Sequence, residues 1–231
     1  MADVDEALDF IEYYCSEMRR NNGFERIGDP PYLEEEVTVL LRPYGVWGVI
    51  CPFNFPLAIT TGMTVGALLT GNTVVLKPSS STPLPVQMFY EIVSQAGIPD
   101  GVLNMVAGSG DEVGGTLVRH PSVDGVVFTG SLTVGREIMA SAQGRQRPVI
   151  AEMGSKNLIV VTAEADLEMA TRGVLASAFG YSGQKCSACS RLYAQDLIYD
   201  DLMERLVEEA KRLIVGNPFQ RDTFMGSHSI F

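Results

Sequence analysis

The chain has 231 residues, 46% of them hydrophobic and 19% charged, with a formal net charge of −11 and an isoelectric point near 4.6. A chain of this length forms one large or two small domains with a substantial core. Its acidity argues against nucleic acid or an anionic membrane surface as a partner, and it lacks the unbroken apolar run of ~18 residues that predicts a membrane span.

The spacing of apolar residues alternates along the chain between a helix period and a strand period. The first predicted helix, at 3–19, carries Val4, Leu8, Ile11 and Cys15 on one face. Further helices are predicted at 56–69, 84–95, 111–118, 134–142, 167–179 and 201–214, and strands at 37–41, 46–50, 73–76, 102–106, 125–129, 149–152, 158–161 and 192–198. This alternation indicates βαβ units and a largely parallel sheet.

Four short motifs lie near the ends of these predicted elements and supply the candidate functional residues. They read Pro52-Phe53-Asn54-Phe55-Pro56, Val75-Leu76-Lys77-Pro78-Ser79, Phe128-Thr129-Gly130-Ser131-Leu132-Thr133-Val134-Gly135 and Gly183-Gln184-Lys185-Cys186-Ser187-Ala188-Cys189. Before the last of them, Glu152-Met153-Gly154 closes the strand predicted at 149–152.

Cys186 and Glu152 suit covalent chemistry on a carbonyl group. A glycine three residues before Cys186 allows a tight turn that exposes the sulfur, so that the thiolate attacks the carbonyl carbon and the carboxylate later activates water. Asn54 can donate to the oxyanion, which contributes about 3–4 kcal/mol when the donor is preorganised. Taken alone, Glu152 also fits a solvated strand-end carboxylate, and Asn54 fits a turn residue before Pro56.

Lys77 and the region around Gly130 occupy positions typical of nucleotide sites. Lys77 ends a predicted parallel strand, and open α/β sheets bind ligands at the carboxyl ends of their strands. Gly130, Ser131 and Gly135 follow another strand and open a helix, whose backbone amides attract phosphate. The structural alternatives are a solvated lysine at the start of a loop and an ordinary helix cap by Ser131.

The four cysteines are too few for a disulfide framework in a chain this long. Cys186 and Cys189 have the CxxC spacing of half a zinc site, but zinc needs about four ligands. Only His120 and His228 could add to the pair, so we expect no metal, whereas a thiol redox module remains an alternative. We expect the other two cysteines to be buried small hydrophobes: Cys15 and Cys51.

In this order, the four motifs resemble the aldehyde dehydrogenase superfamily, and the resemblance runs over about residues 2–226. The Gly-Gln-Lys-Cys-Ser-Ala form of the cysteine motif is similar to the branch that oxidises L-glutamate γ-semialdehyde, the 1-pyrroline-5-carboxylate dehydrogenases. The resemblance implies an α/β fold with an N-terminal helical segment at 1–35, a Rossmann-like dinucleotide-binding domain at 36–151 and a catalytic domain at 152–231. Because family members are longer, it also implies that the catalytic domain is truncated at its C-terminal side.

The resemblance assigns a role to each candidate residue. Cys186 is the nucleophile, Glu152 the base for the hydrolytic water, and Asn54 the oxyanion donor together with the backbone N–H of Cys186. Ser187 helps to hold the substrate carboxylate. Lys77 and Ser79 contact the adenosine ribose of NAD.

The same resemblance implies that Gly130, Ser131 and Gly135 contact the cofactor pyrophosphate. It leaves NADP open, because Ser80 stands where many NAD-specific members carry a glutamate that repels a 2′-phosphate.

The implied activity is NAD(P)-dependent oxidation of an aldehyde, with full-length relatives forming homo-oligomers. The N-terminus lacks the basic-then-apolar order of a signal peptide, so we expect a cytoplasmic protein, or one of the mitochondrial matrix if the source is eukaryotic. In the family, the nicotinamide-ribose contact, the substrate anchor and the oligomerisation strand come from sequence beyond the matching region. The alternative is therefore a catalytically poor remnant that only binds dinucleotide.

Overall fold

The computed structural model describes residues 2–32, 34–144 and 147–226. The chain divides into two compact units, Met1–Met153 and Gly154–Phe231. Within the described residues, no helix is both long enough and apolar enough to cross a membrane.

The first unit is built around a five-stranded parallel sheet. It begins with helix α1 (Ala2–Arg20) and a short antiparallel pair, β1 (Glu25–Ile27) and β2 (Thr38–Leu40). The sheet strands are β3 (Val46–Ile50), β4 (Thr73–Lys77), β5 (Leu103–Met105), β6 (Gly125–Gly130) and β7 (Val149–Met153). Their spatial order is β5-β4-β3-β6-β7, so the chain runs outward from β3 to one edge and then continues on the other side. The order reverses between β3 and β6, which is where open α/β sheets bind ligands.

Helices cover both faces of this sheet, which explains why its strands are apolar almost throughout. These helices are α2 (Ala58–Leu69), α3 (Pro83–Gln95), α4 (Gly115–Arg119, after a π-helical turn at Gly110–Gly114) and α5 (Leu132–Ala142). Neighbouring residues of β3 enter different cores, because successive side chains point to opposite faces. Val49 packs in the core that contains Val86 of α3, and Ile50 in the core that contains Leu117 of α4 and Ile138 of α5.

The second unit contains a parallel strand pair and two helices. The strands are β8 (Asn157–Val161) and β9 (Cys189–Ala194), and the helices are α6 (Leu167–Phe179) and α7 (Tyr199–Lys211). Asp166 caps α6 by accepting hydrogen bonds from the backbone N–H groups of Glu168 and Met169. The core is formed by side chains from one strand and both helices, namely Val161, Val174, Leu175, Leu202 and Leu206.

The α/β class and the mainly parallel sheet predicted from the sequence are confirmed. Several local predictions were wrong, among them the helix expected at 111–118, whose first half is the π-helical turn Gly110–Gly114. The strand expected at 192–198 begins at Cys189 and ends at Ala194, because the apolar residues that extended the pattern form a 3₁₀ turn, Asp196–Ile198. The helix expected at 201–214 spans Tyr199–Lys211. Cys51 is buried as expected, whereas Cys15 is only partly buried.

Candidate active site

Four of the sequence-predicted positions lie at one edge of the parallel sheet. Because its strands run in the same direction, their carboxyl ends share that edge. Asn54 follows β3, Lys77 ends β4, Ser131 follows β6, and Glu152 is the penultimate residue of β7. This edge includes the point between β3 and β6 where the strand order reverses.

Lys77 is a buried lysine, with 4% of its surface exposed. Its Nζ donates a hydrogen bond to the carbonyl oxygen of Pro78 at 3.0 Å, and an ammonium group can donate three. Burial lowers the pKa of Lys77, an effect that the neighbouring Cys51 opposes. Burying a charge without a full set of partners costs free energy, which is typical of a group that serves a ligand.

Two serines shape the loop that follows Lys77. Ser79 Oγ accepts a hydrogen bond from the backbone N–H of Ser81 at 3.3 Å. Ser80 Oγ donates to the carbonyl oxygen of Gly108 at 3.1 Å, which ties this loop to the one after β5. The Ser80 hydroxyl therefore serves the scaffold.

The residues around Gly130 have structural roles that the sequence left open. Ser131 caps α5, its Oγ accepting from the backbone N–H of Val134 at 3.3 Å. A Cβ on Gly130 would lie 2.6 Å from Cζ of Phe128, and a Cβ on Gly135 would collide with Sδ of Met153. A side chain at either position would therefore require its neighbour, Phe128 or Met153, to move, and the phosphate contact stays a prediction.

The loop that carries Asn54 is anchored from two directions. Thr82 Oγ1 donates to the carbonyl oxygen of Phe53 at 3.1 Å. The carboxylate of Asp3, in α1, accepts from the backbone N–H groups of Leu57 and Ala58 at 3.2 and 2.8 Å. Asp3 thus occupies the N-terminus of α2, a role that no local pattern in the sequence revealed. Asn54 itself is partly buried.

Glu152 is exposed on β7, one of the two edge strands of the described sheet, and its register partner is Thr129 of β6. A carboxylate in this setting is accessible to solvent water, as a hydrolytic base must be.

Cys186 and Ser187 belong to the second unit, and both are exposed. They lie in a turn closed by the backbone N–H of Ala188, which donates to the carbonyl oxygen of Lys185 at 3.2 Å. Directly before this turn, Tyr181, Ser182 and Gly183 have φ angles of 57°, 58° and 69°. Such angles are rare for residues with side chains and are concentrated at functional sites.

The four cysteines differ in exposure and in partners, and all of them are free thiols. Burial raises the pKa of the Cys51 thiol to about 12, so this cysteine is inert at neutral pH. Cys189 is partly buried, its Sγ donating to the carbonyl oxygen of Arg191 at 3.3 Å and its N–H to Ser177 Oγ at 3.2 Å. Cys186 is the exposed one.

Across the described part of the chain, His, Cys, Asp and Glu side chains form no group of three or more that could hold a metal ion. His228, which the sequence offered as a ligand, lies outside the described residues.

Sequence reasoning missed Asn157, the first residue of β8. Its Nδ2 donates to the carbonyl oxygen of Cys186 at 2.6 Å. The sequence places Asn157 shortly after Glu152 but gives no sign that it meets the cysteine turn, since this contact depends on the pairing of β8 with β9.

The aldehyde dehydrogenase family model matches residues 1–229. The chain belongs to the aldehyde dehydrogenase family. It is 49% identical to the 1-pyrroline-5-carboxylate dehydrogenase of Anoxybacillus flavithermus, covering 97% of this chain and 44% of that protein. This aldehyde dehydrogenase family member therefore spans less than half the length of that curated relative.

Two solved structures show the same fold. Proline utilization A from Bdellovibrio bacteriovorus, inactivated by N-propargylglycine, superposes with a TM-score of 0.91 at 40% identity, covering 97% of this chain and 24% of the other. An E. coli NADP dependent enzyme superposes with a TM-score of 0.91 at 34% identity, covering 97% of this chain and 46% of the other. The expected resemblance of this aldehyde dehydrogenase chain to the 1-pyrroline-5-carboxylate dehydrogenase branch is confirmed.

Proposed function

We propose that this chain carries the nucleophile, base and dinucleotide site of an NAD(P)-dependent aldehyde dehydrogenase that oxidises L-glutamate γ-semialdehyde to L-glutamate in proline catabolism. The observation that supports this most is the placement of Asn54, Lys77 and Glu152 along the carboxyl edge of one parallel sheet. The similarity of the chain to a 1-pyrroline-5-carboxylate dehydrogenase and to proline utilization A supports the choice of substrate.

The residues at the sheet edge fit a nicotinamide dinucleotide. The buried Lys77 ammonium, followed by Ser79, would hold the adenosine ribose hydroxyls. The amino end of α5, at Gly130 and Ser131, offers backbone N–H groups to the pyrophosphate, and Gly135 allows the helix to approach the sheet. When bound, the cofactor accepts a hydride from the substrate carbon.

The remaining chemistry belongs to side chains of the protein. The Cys186 thiolate attacks the aldehyde carbon, forming a C–S bond, and the oxyanion of the resulting thiohemiacetal is stabilised by the amide of Asn54. Loss of the hydride leaves a thioester on Cys186. Glu152 then takes a proton from water, the hydroxide adds to the thioester, and cleavage of the C–S bond releases the carboxylate and restores the thiolate. Ser187 helps to hold the carboxylate of the substrate.

NAD is the expected cofactor, and NADP stays open. In the loop after β4, the Ser80 hydroxyl is bonded to the carbonyl oxygen of Gly108, and Ser79, Ser80 and Ser81 place no carboxylate there to repel a 2′-phosphate. The similarity of the chain to an NADP dependent enzyme of E. coli is consistent with NADP as a second candidate cofactor.

A second candidate is a remnant that binds dinucleotide without turnover. It is favoured by the division of the chain, because the first unit alone carries Lys77, Ser79 and the Gly130 region. The chain also spans only 44% of the relative that it matches.

Steady-state formation of reduced cofactor separates the two. The chain would be assayed with L-glutamate γ-semialdehyde and either NAD or NADP, beside its Cys186→Ala and Cys189→Ala variants. We expect slow turnover that Cys186→Ala abolishes and Cys189→Ala retains. Tight dinucleotide binding with no turnover in any variant would instead support the remnant, and turnover that depended on Cys189 would contradict the assignment of the nucleophile.

A further inference from the structure

The side chain of Asn157 links two short segments of the second unit. Its Nδ2 lies 2.6 Å from the carbonyl oxygen of Cys186, and its Oδ1 lies 3.2 Å from Oγ of Ser155. A carbonyl oxygen only accepts hydrogen bonds, so the group that faces Cys186 must be the amide nitrogen. The amide oxygen then faces Ser155, whose hydroxyl can donate to it. Both ends of the amide are therefore used, and its orientation is determined.

A β-bulge brings Asn157 to the cysteine turn. Asn157 pairs with Cys189, whereas the next residue, Leu158, pairs with Arg191, so that Ser190 is an extra residue in β9. Bulges of this kind redirect side chains and are frequent next to active sites. Here the bulge lies immediately after the turn that contains Cys186.

The chain before Cys186 needs external support. Tyr181 and Ser182 have positive φ angles, which cost about 1–3 kcal/mol each and persist only where the surroundings hold them. Ser182 is held by its Oγ, which donates to the carbonyl oxygen of Gly226 at 3.1 Å. After the turn, the N–H of Cys189 donates to Ser177 Oγ at 3.2 Å. Between these two anchors, the side-chain amide of Asn157 donates to the carbonyl oxygen of Cys186 at 2.6 Å.

We propose that Asn157 is a positioning residue, which fixes the backbone of Cys186 and thereby the direction of its thiol. This inference rests on the proposed function, in which Cys186 is the nucleophile. An exposed cysteine on a turn samples several orientations, and a displacement of about 1 Å can reduce the rate of a covalent step roughly a hundredfold.

The chain offers a matched control at the other end of the same strand pair. Gln195 follows β9, and its Oε1 accepts a hydrogen bond from the backbone N–H of Ala163, which follows β8, at 2.8 Å. Gln195 is thus a second amide that joins the two strands, far along them from the Cys186 turn. Gln195→Ala and Gln195→Glu repeat the chemical changes of Asn157→Ala and Asn157→Asp.

The test measures the alkylation rate of each thiol in the full chain, using limiting iodoacetamide and mass spectrometry, at several pH values. Asn157→Ala should slow labelling of Cys186 about threefold or more at neutral pH, with labelling of Cys189 unchanged. Asn157→Asp should slow it further and move its pH profile upward, because a carboxylate beside Cys186 opposes thiolate formation. Lys156 and Lys185, the cationic neighbours in sequence, are present in every variant.

In both Gln195 variants, iodoacetamide should label Cys186 at a rate within about twofold of the rate in the parent chain. Unchanged Cys186 labelling in folded Asn157→Ala and Asn157→Asp would overturn the proposal, as would an equal slowing of Cys186 in the Gln195 variants. If Asn157→Ala does not fold, Ser155→Ala takes its place, since it removes the group that orients the amide and should slow Cys186 by a smaller factor. If the parent chain does not oxidise the aldehyde, this result counts against the proposed function. It does not affect the comparison of Cys186 alkylation rates between the variants.

Discussion

The carboxylate of Asp3 accepts a hydrogen bond from the backbone N–H of Ala58 at 2.8 Å, across 55 positions of the sequence. A negative charge at this point satisfies amides at the start of α2 and interacts favourably with the positive end of the helix dipole. The loop that carries Asn54 runs directly into this capped helix. Asp3 of α1 therefore stabilises the first unit and also supports the candidate oxyanion donor.

Replacing Asp3 by alanine should lower the free energy of unfolding by about 1–2 kcal/mol, the usual effect of losing a cap. Thermal or urea unfolding of the two proteins measures the difference. Asp5→Ala is the matched control, because Asp5 also lies in the first turn of α1 and is exposed. Equal destabilisation by the two changes would show that the loss comes from α1 itself and would contradict the capping role.

The first unit shows what local sequence patterns reveal and what they miss. Alternating strand and helix periods predicted the parallel sheet, and the ends of its strands predicted which residues share an edge. The hydrogen bond from the backbone N–H of Ala58 to Asp3 could not be predicted, because it joins distant segments and produces no periodic pattern in the sequence. Strand β1 was missed since all three of its residues are exposed, so its side chains show no alternation.

The second unit was predicted less well, because its features depend on register. The bulge at Asn157 exists only once β8 and β9 are paired, so neither strand alone predicts it. In the first unit, the pattern at Ser131 was ambiguous for a different reason, since a helix cap and a phosphate site use the same residue types. In the second unit, the apolar residue Leu197 made the strand predicted at 192–198 too long, although its side chain is 83% exposed.

Lys77→Met should weaken dinucleotide binding while leaving the first unit folded. The change removes the ammonium that is proposed to bind the ribose, and methionine fills most of the same buried space without a charge. Losing hydrogen bonds to a charged group costs about 1.5–3 kcal/mol, which is at least a tenfold rise in Kd. Titration calorimetry with NAD and with NADP measures this, with the exposed Lys211→Met as control. Unchanged affinity would remove Lys77 from the cofactor site, and tighter binding of NADP than of NAD by the parent chain would implicate Ser80.

Cys51 should make the chain lose stability at alkaline pH. Burial raises the pKa of its thiol to about 12, whereas in the unfolded chain a thiol titrates near 8.5. Above about pH 8.5, the unfolded state loses this proton before the folded state does, so the free energy of unfolding falls as pH rises towards 12.

The slope identifies the residue responsible. From pH 8 to pH 10, the parent chain should lose about 2 kcal/mol relative to Cys51→Ala, since each pH unit in this window is worth about 1.4 kcal/mol. Cys51→Ala is less stable at pH 8 because it leaves a cavity, but its stability should depend less on pH. Cys15→Ala, which changes a partly buried cysteine, should keep the parent slope. Parallel slopes for the parent and Cys51→Ala would show that Cys51 is not protected by burial.

The outer face of the β8–β9 pair should mediate self-association of this chain. Leu158, Val160 and Tyr193 are 56%, 62% and 51% exposed, and the parallel register places all three on the same face. Adjacent apolar side chains on a two-stranded sheet form a surface that favours contact with another apolar surface. Val160→Thr keeps the β-branched shape and adds a hydroxyl, so it should reduce association with little change in melting temperature.

Light scattering after size-exclusion chromatography, at rising protein concentration, measures the effect. Leu197→Ser, at an exposed leucine in the 3₁₀ turn beyond β9, is the control and should associate like the parent. Equal reduction by both variants would indicate general hydrophobicity, and no reduction by Val160→Thr would exclude this face as the contact.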